Sequence, residues 1–274
     1  MKHANLKALF TAIANSIRNK TGGTDAIIAD DFPEAIDGIQ TGGGVDKIQR
    51  YIELNGNKSY YLFYKFRGAS VDELMDGVDT SVLVFADSMF EDAQITSVPL
   101  FDTSNLTSSS KMFYSCKHLS SLPLYDTRKV TTMQQMFYYA EKLKAIPALD
   151  CRSVTNFNYT FFYCTALTEC LVRNIKKSLQ VSDGTSWGHL LTLESLLHLC
   201  KECRKTTSSL KLTVGTANLE KLANVYVKLI DITDDMRAED DLIDEKYPFV
   251  QCESTDEGAM TLQDYMATKM WSLA

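Results

Sequence analysis

Leu119-Ser-Ser-Leu-Pro-Leu-Tyr-Asp-Thr-Arg-Lys-Val-Thr-Thr-Met-Gln-Gln-Met-Phe-Tyr-Tyr139 is most of one period of a repeat that fills the middle of the chain. Its Asp126-Thr127 step recurs as Asp79-Thr80, Asp102-Thr103 and Asp150-Cys151, at spacings of 23, 24 and 24 residues. Met136-Phe137 is matched by Met89-Phe90, Met112-Phe113 and Thr160-Phe161. Ile95, Leu119, Leu143 and Leu167 form another column, as do Pro99, Pro123 and Pro147, and Leu83, Leu106, Val130 and Val154. A period of about 20–50 residues signals stacked units, because one unit cannot bury its apolar side alone. Stacking turns each column into a ladder through a continuous core. The pattern predicts a solenoid with a strand in the Leu119 to Pro123 segment. Thr131 to Phe137 is expected on the helical or turn side.

Outward from this period, residues 79–170 resemble BspA-type leucine-rich repeats. The resemblance implies a parallel leucine-rich-repeat solenoid used for surface contact, with coils of 23 to 24 residues. It does not supply a ligand, since one fold carries many functions. Between 79 and 170, seven Lys and Arg stand against nine Asp and Glu, so this array is nearly neutral. Recognition on it should therefore rest on shape, hydrogen bonds and aromatic rings. Tyr114, Tyr138 and Phe162 share one column, and Ser115, Tyr139 and Tyr163 the next. Adjacent columns do not both point inward easily, so Tyr114, Tyr138, Tyr139 and Tyr163 are the candidate recognition surface, suited to a flat sugar or protein. The competing reading packs these rings in the core or between coils.

At the amino-terminal end, Leu6, Leu9, Phe10, Ile13 and Ile17 recur at helical spacing, with Asn5 as N-cap and Gly22-Gly23 as a stop. A second short helix is expected from Pro33 to Ile39, and Gly42-Gly43-Gly44 reads as a linker. A unit this small cannot bury its own apolar stripe. Leu6, Phe10, Ile13 and Ile17 step by 4, 3 and 4, a two-heptad seam that permits a homo-oligomer, with a trimer favoured. Asn5-Leu-Lys-Ala-Leu-Phe-Thr-Ala-Ile-Ala-Asn-Ser-Ile-Arg-Asn-Lys-Thr-Gly22 and Ile28-Ala-Asp-Asp-Phe-Pro-Glu-Ala-Ile-Asp-Gly-Ile39 resemble the start of tail and baseplate proteins of phages infecting Gram-positive bacteria. That resemblance implies a virion-attachment segment.

Between linker and repeats, Ile48 to Leu54 and Ser59 to Phe66 flank Asn55-Gly56-Asn57, the signature of a hairpin, expected here to cap the first coil. Beyond the repeats, Thr192 should cap a helix carrying Leu193, Leu196, Leu197, Cys200 and Cys203. Leu210 to Val214 alternates as a strand, Asn218 to Leu222 reads as a short helix, and Thr261 should cap a last helix through Lys269 before the strand Trp271 to Leu273. Leu210 to Leu222 and the Trp271 ending again resemble phage proteins, in which a unit of this kind comes after such repeats and closes the solenoid. Val225 to Ile230 and Phe249 to Cys252 look like hairpin arms around an acidic stretch, Asp231 to Glu245.

The chain is thus expected to be α+β: a helical docking segment at 1–41, a linker and hairpin cap at 42–78, the leucine-rich-repeat solenoid at 79–170, and an α/β C-terminal cap at 171–274 with an inserted acidic hairpin at 224–257. Its 274 residues carry a net charge of −7 without clustered cations, which argues against nucleic acid as partner. No apolar run approaches the roughly 18 residues of a membrane span, and no signal peptide is read at the start. Seven irregularly spaced cysteines read as buried thiols. Cys200-x-x-Cys203 with His189 and His198 lacks the helix geometry for zinc, and the acidic stretch lacks the order of a calcium loop, so no metal or other cofactor is expected. The repeated Asp79, Asp102, Asp126 and Asp150 read as turn residues, and no nucleophile motif argues for an enzyme. The function expected is a phage tail fibre or receptor-binding protein, made in the host cytoplasm and located in the virion tail. Its partners would be tail or baseplate proteins and a host-surface glycan or protein. A purely structural baseplate component and a bacterial cell-surface adhesion protein are the alternatives.

Overall fold

The computed structural model describes residues 44–181 and 187–274. The expected attachment residues Leu6, Leu9, Phe10, Ile13 and Ile17 lie outside the described residues. The fold is mixed helix and strand with small sheets.

The first described element corrects the sequence reading. Residues expected to be linker end and hairpin arm form α1, Gly44–Leu54. Ile48 and Ile52, one helical turn apart, are buried, and Tyr51 Oη donates to the Tyr60 carbonyl at 2.9 Å. Gly56 has φ +65° and comes after the last turn, with Asn57 N–H returning to the Ile52 carbonyl at 2.9 Å. Asn-Gly therefore ends a helix here instead of reversing a strand, a conformation glycine adopts without strain. The helix packs against α2, Asp72–Met75, and Gln49 Oε1 accepts from Asp79 N–H at 2.8 Å, tying α1 to the start of the repeats.

In the repeats, consecutive coils lie in register. Parallel bridges join Lys58, Phe85, Ser108, Thr132 and Asn156 in one line. The rings of Phe63, Phe90, Phe113, Phe137 and Phe161 stack through the core at 5.2, 5.3, 5.7 and 5.8 Å, with planes within 8°. Each such pair adds about 0.5–1.5 kcal/mol beyond its buried area. Ile95, Leu119, Leu143 and Leu167, and Leu83, Leu106, Val130 and Val154, are buried ladders beside them. The column continues one coil further back than the sequence pattern indicates, to Leu62-Phe63.

The Met-Phe side of each coil is a chain of turns. Met112, Tyr114 and Cys116 N–H groups return three residues to Ser109, Lys111 and Phe113 at 3.1, 3.0 and 3.2 Å. The intervening N–H groups of Ser109, Lys111, Phe113 and Ser115 cross to Thr132, Gln134, Met136 and Tyr138 of the next coil at 3.1, 2.9, 2.9 and 2.6 Å. Alternation thus satisfies the backbone without helix or strand. It requires left-handed residues two before and two after each phenylalanine: Ser88 and Asp92, Lys111 and Ser115, Gln135 and Tyr139, Tyr159 and Tyr163, with φ between 56° and 61°. None is glycine, so each costs about 1 kcal/mol or more, offset by the cross-coil bonds. The segment expected as a strand is reduced to β1, Ala145–Ile146, paired in parallel with β2, Glu169–Cys170. The repeated aspartates close turns: Asp79, Asp102, Asp126 and Asp150 each accept from the N–H two residues on, at 3.0, 3.0, 3.1 and 2.9 Å.

After the repeats come β3 (Leu179–Val181), α3 (Leu193–Glu202), β4 (Leu210–Val214), α4 (Thr216–Leu222), β5 (Tyr226–Leu229), α5 (Asp234–Glu239), a 3-10 turn (Ile243–Glu245), β6 (Phe249–Cys252), β7 (Met260–Thr261), α6 (Leu262–Thr268) and β8 (Trp271–Leu273). Strands β3, β4 and β8 form a parallel sheet, and β5 pairs antiparallel with β6 on one side and β7 on the other. Thr192 and Thr261 cap α3 and α6, each hydroxyl accepting from the N–H three residues on at 3.1 Å.

Candidate recognition surface

With each phenylalanine buried in its coil, the next two side chains leave the core. Tyr114, Tyr138, Tyr139 and Tyr163 are all half-buried and come together on one continuous face. Tyr114 stacks on Tyr138 at 5.0 Å, Tyr138 on Phe162 at 5.4 Å, and Tyr139 on Tyr163 at 4.4 Å. The two columns meet edge to face, Tyr138 against Tyr139 at 4.8 Å. Packing between coils and exposure on the face are therefore the same arrangement, seen from two sides. At the other end Glu91 takes the ring's place in the column, and its Oε2 is buried without a partner among the described residues.

Stacking covers ring faces within the ladder, so edges and hydroxyls remain. The hydroxyls of Tyr114, Tyr138, Tyr139 and Tyr163 make no hydrogen bond to any described residue. Burial raises the Tyr114 phenol, with Glu91 and Asp92 adding to it, and burial followed by neighbouring tyrosines raises that of Tyr138. These phenols stay protonated at neutral pH and can donate. Flat stacking of a sugar, one expectation from sequence, is thus limited to ring faces that no neighbouring ring covers. Lys111 lies 5.5 Å from the Tyr114 ring centre and Lys117 5.4 Å from that of Tyr139. The face also includes Tyr159, 60% exposed and edge-on to Phe162 at 5.5 Å. The sequence reading misses it because its column partners, Lys111 and Gln135, are not aromatic.

The acidic stretch is partly pinned to the repeats, where the sequence suggests solvated charge. Asp241 pairs with Arg152 at 3.1 Å, and buried Asp240 with Arg173 at 3.2 Å and Arg204 at 3.6 Å. Lys246 contacts Asp240 and lies 3.0 Å from Glu202. Cys200 and Cys203 are buried, and His198 Nε2 is 3.0 Å from the Val172 carbonyl instead of facing them. No group of three His, Cys, Asp or Glu that could hold a metal occurs among the described residues, and no described helix is long and apolar enough to cross a membrane.

No curated protein and no solved structure gives a match to this chain. Residues 60–177, which hold the stacked coils and the whole tyrosine face, match the family described as Mycoplasma protein of unknown function, DUF285, a domain associated with BspA-like proteins.

Proposed function

We propose that this chain is a phage tail or baseplate protein of the fibre or receptor-binding type. In this reading the stacked coils are a leucine-rich-repeat solenoid that contacts the host surface or a neighbouring tail protein. The observation that carries the contact role is the continuous tyrosine face with unused hydroxyls. The virion role is supported by the resemblance of residues 5–22 and 28–39 to phage tail proteins, and the seam of Leu6, Phe10, Ile13 and Ile17 would assemble copies, as a trimer. Adsorption to host cells by particles carrying Tyr138→Ala or Tyr139→Ala tests the contact role. Both variants melting and adsorbing as the parent does would remove it.

A bacterial cell-surface adhesion protein is the second reading, favoured by the Mycoplasma family match. Antibody detection in purified particles against washed cell envelopes separates the two. Recovery in envelopes and absence from particles would decide for the adhesion protein.

A further inference from the structure

Beside the tyrosine face, three successive coils enclose a groove of about 220 Å³. Lys65 and Arg67 come from the first coil, Asp92 and Gln94 from the second, and Lys117 and His118 from the third. Three fixed cations thus face one carboxylate. Lys117 shares its charge with Glu141 at 3.1 Å, and its ammonium lies over the Tyr139 ring, which joins groove to ladder. Lys65 sits 4.9 Å from the Tyr64 ring centre. Exposed Arg67 and His118 make no side-chain hydrogen bond or ion pair with any described residue. Lys65 and Arg67 come from the coil before the nearly neutral array of residues 79–170. Asp126 and Asp150 in the array are paired with Arg128 and Arg152, whereas Arg67 here has no ion-pair partner among the described residues.

We propose that this groove binds oxyanions, phosphate or carboxylate, carried by a polymer that lies along the coils, with the tyrosine hydroxyls donating to its neighbouring polar groups. Three observations converge on this class. Tyr138 is stacked on both faces, so the chemistry it offers a ligand is hydroxyl donation. The groove supplies an arginine, whose planar fork of donors fits an oxyanion, next to lysines. Its walls come from three successive coils, so a chain lying along the coils meets donors from more than one of them. The ligand class rests on reading the tyrosine face as a recognition surface; the oxyanion site itself does not.

The test uses the full chain, with polyphosphate and poly-glutamate as probes and dextran as the neutral comparison. Binding is measured at low and at physiological salt. Polyanion binding that weakens with salt and exceeds dextran binding is expected, and whichever probe binds tighter identifies the oxyanion. Arg67→Gln should weaken it about tenfold, and Asp92→Asn should strengthen it, the two moving in opposite directions. Asparagine tolerates the left-handed φ of 60° at position 92, so the second variant keeps the fold. Lys129→Glu, at a lysine bonded to Asn105 away from the groove, should change binding less than Arg67→Gln does. Failure of both polyanions to bind, equal binding of dextran, or both groove variants shifting affinity alike would overturn the site. Loss of adsorption in the tyrosine variants with no polyanion binding would leave the recognition face standing and remove the oxyanion site alone. Polyanion binding with unaffected adsorption would do the reverse.

Discussion

The Lys269 ammonium lies 3.0 Å from the carbonyl oxygen of Cys203, a residue 66 positions earlier in the chain. It also donates to Cys200 and Lys201 at 3.2 and 3.3 Å, so one fully buried lysine after α6 closes the C-terminal end of α3. Carbonyls at that end have no partner within their own helix, and a cation there also meets the negative end of the helix dipole. Lys269→Met keeps the stem and removes the donors. It should lower unfolding free energy by about 2 kcal/mol, read by urea denaturation at neutral pH.

Alkaline pH should unfold this protein through its thiols. Burial pushes Cys170 and Cys200 from an ordinary 9.0 up to about 12, and raises Cys116, Cys151, Cys164 and Cys203 as well. Above about pH 9 the unfolded chain sheds protons that the folded chain keeps, so stability is full below pH 9 and falls as pH rises towards the folded values. Lys269 acts the other way, because burial lowers it to about 8 and the folded chain loses that proton first. Six thiols outweigh one amine. Each thiol contributes a slope of about 1.4 kcal/mol per pH unit. Cys170→Ala should flatten the measured slope of unfolding free energy above pH 9 by about that amount.

Core rings and face rings should separate by energy. Phe113→Ala removes a fully buried ring held between two others and should cost about 3–5 kcal/mol of stability. Tyr139→Ala empties a half-buried place on the face and should cost about 1 kcal/mol of stability while weakening adsorption by about 1–4 kcal/mol. Calorimetric melting alongside adsorption measures both.

The columns of Leu83, Met89, Phe90 and Ile95 with their successors are legible because a fixed period repeats the same burial in each coil. Phe63 is not, because 27 residues separate it from Phe90, room used by α2. Asn55-Gly56 reads as a hairpin because a left-handed glycine serves equally at a strand reversal and at a helix end. The i, i+4 pair Ile48 and Ile52 decides between them only once both are seen buried. The four candidate tyrosines can be placed by column, but their stacking cannot, since it depends on the left-handed backbone at Tyr139 and Tyr163. The Asp240 cluster joins residues from 150 to 246, and no local spacing announces such a meeting.

Asp240 should hold the inserted hairpin against the repeats. Asp240→Ala takes from buried Arg204 its only ion-pair partner among the described residues and leaves Lys246 with Glu202 alone, and should cost about 3–5 kcal/mol. Limited proteolysis should then cut between residues 231 and 248 before the repeats are touched. Asp234→Asn, at a fully exposed carboxylate paired only with Arg237 among the described residues, should leave the digestion pattern unchanged.

Residues 1–41 should be needed for entry into particles. A chain starting after them should be absent from purified virions while its repeats melt as in the full chain. Normal incorporation of the shortened chain would remove the attachment role of Leu6, Leu9, Phe10, Ile13 and Ile17.

The alternation of backbone bonds from Lys111 to Cys116 behaves as a reading frame of two. Odd positions are spoken for by the next coil and even positions by their own. Deleting Ser110 alone would exchange the two sets, turn cross-coil donors inward and move Phe113 off the ladder, whereas replacing its side chain would leave the frame intact. Length can therefore change only where the frame is not running. The two long length changes in this chain fall in such places, between Phe66 and Asp79 and between Ala223 and Gly258, and the single-residue change comes after a Met-Phe turn, with five residues from Phe90 to Ile95 against six from Phe113 to Leu119. A library of single-residue deletions across 86–164 should accordingly show tolerance with the period of the coil, concentrated near Pro99, Pro123 and Pro147 and vanishing around each phenylalanine.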